Sequence, residues 1–251
     1  METLQRWRAN RTLAYVVPLI AFTAMLMLVG VFKVDNQALA WHKHSPELWI
    51  YPLQCVVCGA LLVFWWRHYI FKPMRGFGFA TLMGLLGIGV WIAPTFLFDL
   101  WGWETDSTPK WLELLGFQER QESGFDPSFL GEHTAVYWAS ILARFLRMVM
   151  IVAFVEEIFW RGFLMRYLID MDRDFLSIPF GSFSRLSVGV TIVLFTVQHH
   201  PADWMVAVIY GSLACWVAIR TKSLAACVWM HAVANFSLGC FIMATKNWGL
   251  W

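Results

Sequence analysis

The sequence predicts an all-α fold, a polytopic membrane helix bundle of seven or eight transmembrane helices, and three observations predict it. First, 59% of the 251 residues are hydrophobic, 14% are charged, and the mean hydropathy is +0.57. A soluble domain of this size needs a more charged surface. Second, apolar segments of about 20 residues, the length that crosses a bilayer as a helix, recur along most of the chain. Third, many of the 16 Trp residues stand near the ends of those segments: Trp41, Trp49, Trp65, Trp66, Trp101, Trp103, Trp248 and Trp251. Their amphipathic rings favour the headgroup level. The recurrence along the whole length reads as one membrane domain, 1–251. The net charge of +2 is spread out and offers no basic face to nucleic acid.

Taken in order, the spans fall at roughly 13–32, 48–66, 77–98, 186–199, 203–219 and 223–244. The first follows Arg6, Arg8 and Arg11. It is too long for a signal-peptide core and has no clear small-residue cleavage site after it, so it reads as a membrane helix. A further stretch, 134–169, contains no Pro and would be about 54 Å long as a single helix at 1.5 Å per residue. That exceeds a hydrocarbon core of about 30 Å, so it is either one over-long helix or two with a break. The basic residues near the start, with Arg67, Lys72 and Arg75, place the first two cytoplasmic faces. The stretch from Asp99 to His133 carries Asp99, Glu104, Asp106, Glu113, Glu119, Glu122, Asp126 and Glu132, and its few basic residues suit the outer side. A small helical piece is expected there near 109–121. Seven spans put the C-terminus outside and eight put it inside; Arg220 and Lys222 favour seven, a split 134–169 favours eight. The five Cys residues lie in apolar stretches; Cys55 and Cys58 read as small buried side chains rather than a redox pair.

Charge inside a membrane segment is costly and usually functional. In Glu156-Glu157-Ile158-Phe159-Trp160-Arg161, Glu157 and Arg161 are four apart and share a face of an ideal helix. Glu156 is turned about 100° away, outside that pairing. A carboxylate so placed suits a general base. A second cluster, Phe195-Thr196-Val197-Gln198-His199, ends an apolar run, with His200 as a competitor for any role given to His199. In a third, His231 and Asn235 are four apart in the last span and project from one face. Taken singly, each has a bland reading: headgroup-facing charge, an interfacial His, or hydrogen bonding between helices. Together they suggest one polar site built from three membrane segments. For the Glu pair and His199 to lie at similar depth, 134–169 must break or meet an interface near 148–152; Arg144 and Arg147 make 135–154 a poor lipid-facing span in any case.

In this order, Glu-Glu-x-x-x-Arg, Phe-x-x-x-His and His-x-x-x-Asn, the clusters resemble the three motifs of the CAAX protease and bacteriocin-processing (CPBP or Abi) family, which includes the Ras-converting CAAX endopeptidase. The resemblance covers roughly 150–240. It implies a CPBP-like catalytic core at 134–244, preceded by variable spans and the acidic loop at 1–133. It also implies a glutamate-type intramembrane endopeptidase with no metal and no other cofactor. Glu156 with His199 would activate water, His231 and Asn235 would stabilise the oxyanion, and Arg161 would fix Glu157. The implied partners are the lipid bilayer and a membrane-anchored peptide or protein substrate: a prenylated CAAX tail, a bacteriocin leader or a sorting-signal tail. Short loops point to a prokaryotic plasma membrane.

Two other readings compete. A zinc metalloprotease could draw on Glu and His ligands, but the chain lacks His-Glu-x-x-His, and Arg161 and Asn235 have no natural place as zinc ligands. A non-catalytic immunity or peptide-binding protein could use the same cavity. A transporter is less favoured, since no repeated halves are visible.

Overall fold

The computed structural model describes residues 2–34, 36, 39–104, 108–120 and 124–251, with side chains from Gln5 onward. Asp106 and Glu122 of the acidic stretch lie outside the described residues. No strand occurs among the described residues. Six of the helices there are long and apolar enough to cross a membrane. They are α1 (Arg11–Phe32), α2 (Glu47–Phe64), α3 (Phe77–Trp101), α4 (Thr134–Tyr167), the segment Pro201–Thr221 and the last helix, Leu224–Thr245. The chain is a multi-pass membrane protein.

Two expectations change. The span expected at 186–199 is a helix of 13 residues, α5 (Arg185–Val197). At 1.5 Å per residue it reaches about 20 Å, short of the core thickness of about 30 Å. Ser184 caps its start, accepting from the Ser187 N–H at 3.0 Å. Its end is set by Pro201: His200, the residue before it, takes an extended conformation (φ −60°, ψ 141°), as a residue preceding proline is driven to do. The break expected near 148–152 is a π-helical turn, Leu146–Val152, and α4 runs on through it for 34 residues. The over-long single helix is therefore the form found.

The described chain forms two compact units, Met1–Ile70 with Pro127–Phe159 and Phe71–Asp126 with Trp160–Trp251. In the first, α1 packs on α2, and α4 packs on α2. Pro18 interrupts α1's ladder, since it has no N–H to give the Ala14 carbonyl. The Tyr69 hydroxyl donates to that carbonyl instead, at 2.9 Å, and Tyr15 donates to the His68 carbonyl at 3.0 Å. Burial, and then the neighbouring Tyr15, pushes the Tyr69 hydroxyl above its ordinary range, which keeps it a donor. Gln54, fully buried, donates to the Phe22 carbonyl at 2.7 Å and accepts from Arg147 Nε at 2.5 Å. The Arg144 and Arg147 guanidiniums lie over the Tyr51 ring at 4.8 and 4.1 Å. Both arginines thus face protein, the arrangement that makes such charges tolerable in a span. Cys55 and Cys58 are buried thiols directed at the Ala143 and Pro18 carbonyls.

In the second unit the two C-terminal helices, α6 (Trp204–Thr221) and α7 (Leu224–Thr245), pack with each other and with α3, while α5 packs on α6. Small residues let the backbones approach. A Cβ on Gly84 of α3 would stand 2.7 Å from the Met230 carbonyl oxygen of α7. Lys222, in the left-handed region at φ 53°, turns the chain from α6 into α7, and its Nζ donates to the Gly181 carbonyl at 2.5 Å. Ser223 then caps α7 through the Ala226 N–H. Arg166, buried, clamps the connection after α4: Nε donates to the Ile178 carbonyl at 2.9 Å and Nη2 to that of Leu176 at 3.0 Å. The helical piece expected near 109–121 is one turn, Lys110–Glu113. Gly116 (φ +89°) follows shortly after it, where an added Cβ would stand 3.0 Å from the Ala202 carbonyl oxygen.

Candidate functional site

Glu156 and Glu157 lie in the first unit, on the α-helical stretch Ala153–Glu157, which is bracketed by two π-helical turns, Leu146–Val152 and Ile158–Leu164. π-turns are rare and frequent at functional sites. Glu156 is 4% exposed and Glu157 fully buried. Arg147, nine residues upstream, is close enough to Glu156 for their charges to interact. Nine residues would place the two about half a turn apart on an ideal α-helix. The intervening π-turn alters that phase, because its hydrogen bonds run i to i+5. On an ideal α-helix Arg147 would face away from Glu156, so the sequence offers Glu156 no cation.

Arg161, His199, His231 and Asn235 lie in the second unit. His199, half-buried, closes the chain end of α5; its Nδ1 is 2.7 Å from the Phe195 carbonyl. A carbonyl only accepts, so Nδ1 carries the proton and Nε2 is the nitrogen left for proton transfer. The imidazole is walled by Phe195, with ring centroids 4.6 Å apart, and by Trp91 at 5.2 Å. His200, its competitor, is exposed and accepts from the Ala202 N–H at 3.4 Å as a cap for the turn Pro201–Asp203. His231 is buried on α7 with its ring 5.7 Å from that of Tyr210, and Asn235 is half-buried one turn further along. Arg161 is fully buried; its guanidinium lies over the Phe195 ring at 5.0 Å and donates to the Gly211 carbonyl at 3.4 Å.

The second unit thus gathers the two imidazoles and Arg161 around Phe195 and Tyr210. Tyr210 and Trp91 do not stand out in the sequence as site residues, because both sit in apolar runs of ordinary membrane-span composition. A tyrosine beside a glycine, Tyr210-Gly211, in an otherwise apolar helix was the available signal. Among the described residues no three His, Cys, Asp or Glu side chains gather as a metal-binding group.

The backbone following His199 is held from the acidic loop. Arg120 Nη2 donates to Asp203 at 2.7 Å, with both side chains largely buried, and the Arg120 carbonyl accepts from the Gly249 N–H at 2.7 Å. Trp204 Nε1 donates to the His199 carbonyl at 3.1 Å. Replacing Arg120 with Ala leaves Asp203 without this charged donor and is expected to cost about 1–3 kcal/mol. Thermal unfolding in detergent, with limited proteolysis of the 108–120 segment, checks it; an unchanged midpoint and cleavage pattern would contradict it.

Comparison with curated proteins and with solved structures finds no match. Residues 138–237 match the family model described as type II CAAX prenyl endopeptidase Rce1-like. The matched stretch contains all three polar segments, from Glu156 to Asn235, and supports the likeness of this part of the chain to the CAAX-protease (CPBP) family.

Proposed function

We propose that this protein is an intramembrane endopeptidase of glutamate type, resident in a prokaryotic plasma membrane, that hydrolyses a peptide bond in a membrane-anchored peptide or protein. The observation that carries the reading is the gathering of His199, with Nε2 free of the Phe195 hydrogen bond, and His231 around one aromatic cluster within the family-matched stretch. Glu156, assisted by His199, takes a proton from water as the water oxygen attacks the scissile carbonyl carbon. The carbonyl oxygen becomes an oxyanion, to which His231 and Asn235 donate hydrogen bonds. The C–N bond then breaks and the proton passes to the leaving amine, leaving a carboxylate product. Glu157 and Arg161 support the helix that carries the base. Exclusion of bulk water strengthens each of these electrostatic terms.

The test is cleavage of a membrane-anchored peptide library by detergent-purified protein, with and without a strong chelator. Chelator-resistant cleavage that falls about 10²–10³-fold in His231→Ala is the expected result, the size typical of losing an oxyanion donor. Chelator-sensitive cleavage would replace this reading with a zinc enzyme. A peptide that binds tightly yet stays intact would make the protein a binding or immunity factor.

A further inference from the structure

Tyr210 touches both halves of the imidazole arrangement. Its ring is edge-on to His231 at 5.7 Å and to Trp91 at 5.9 Å, and it lies nearly parallel to Phe195 at 6.1 Å with 20° between planes. Trp91 and Phe195 are the two walls of His199. One side chain on α6 therefore supports His231 on α7 directly and His199, just past the end of α5, through two neighbours. Its seat is fixed. Tyr210 is 4% exposed, and a Cβ on Gly87 of α3 would stand 2.8 Å from Tyr210 Cδ2. On the other side, a Cβ on Gly211 would stand 3.1 Å from Phe195 Cδ1. Little space remains for these rings to shift in a close-packed interior.

We infer that Tyr210 is a positioning residue, whose ring sets the orientation of His231 and His199 toward each other and toward the peptide carbonyl. Edge-to-face contacts give the ring directional preference as well as bulk. Catalytic groups displaced by about 1 Å lose rate on the order of 10²-fold, so a residue that touches no substrate can still govern turnover. The placement rests on the protease reading for its catalytic meaning, but the imidazole geometry can be measured without any substrate.

Two readouts test it, on full-length protein in detergent. In the first, NMR of ¹⁵N-His-labelled protein reports the His199 tautomer and the His231 ring environment. Tyr210→Leu removes the aromatic ring, and Gly87→Ala pushes it from its seat; both are expected to shift the His199 and His231 signals. Tyr210→Phe, which keeps the ring, is expected to restore them. In the second, cleavage kinetics of Tyr210→Leu are expected to show kcat reduced at least about tenfold with KM little changed, and Tyr210→Phe is expected to recover kcat. Unmoved imidazole signals in both Tyr210→Leu and Gly87→Ala would overturn the inference. So would a Tyr210→Phe protein as impaired as Tyr210→Leu, since the hydroxyl rather than the ring would then be at work. If the wild type cleaves nothing while the NMR shifts occur as expected, positioning stands and the protease reading falls.

Discussion

Glu156→Gln is expected to lower the turnover of membrane-anchored peptide by about 10²–10⁴-fold, the range typical of losing a general acid–base group. The amide keeps the size and much of the hydrogen bonding of the carboxylate but cannot take a proton from water. Because Glu156 is 4% exposed, the substitution also removes a buried negative charge from a helix that carries the buried Arg144 and Arg161. Thermal unfolding must therefore accompany the kinetics. A large fall in kcat at an almost unchanged midpoint supports the base assignment. Retained turnover in a folded Glu156→Gln protein would remove Glu156 from the mechanism. Glu157→Gln is the companion measurement: if Glu157 only supports the helix, its loss reads out mainly in stability, whereas a kcat fall matching that of Glu156→Gln would show that the two assignments need exchanging.

Gly84→Leu is expected to have the largest effect on folding. The position opposes the Met230 carbonyl oxygen, a backbone atom that cannot rotate aside, and even the first carbon of a side chain would stand 2.7 Å from it. Overpacked interiors typically lose about 1–3 kcal/mol and occasionally more, and here the whole of α3 must move from α7. Met230 precedes His231, so the displacement also carries the site. Gly84→Ala, the milder form, is expected to lower the midpoint measurably and to reduce cleavage with it. Gly89→Ala on the same helix, where an added Cβ meets nothing within 4 Å, is the control expected to change neither. Equal midpoints for Gly84→Ala and Gly89→Ala would show that α3 and α7 are not held at this distance.

What the sequence alone determined is what depends on local composition. The positions of the long spans follow from runs of apolar residues, because the cost of placing a polar group in hydrocarbon is set residue by residue. The segments carrying Glu156, Glu157 and Arg161, then His199, then His231 and Asn235 stood out for the same reason: ionisable groups in apolar runs need a purpose. Their order and spacing also carried the resemblance to the family whose model the chain matches. What only the tertiary structure decided depends on neighbours distant in the chain or on backbone phase. Nothing local marks Tyr210 as the support of two imidazoles, because Trp91, Phe195 and His231 reach it from three other helices. Arg144 and Arg147 mark 135–154 as a poor lipid-facing span, but only the fold shows that Arg147 faces Gln54, Tyr51 and Phe22. Ala14's open carbonyl follows from Pro18, but that Tyr69 fills it does not. The two π-turns around the Glu pair leave no mark in a sequence read at 3.6 residues per turn. Changing the phase of a helix costs little locally, and the packing of its side chains against other helices selects the phase.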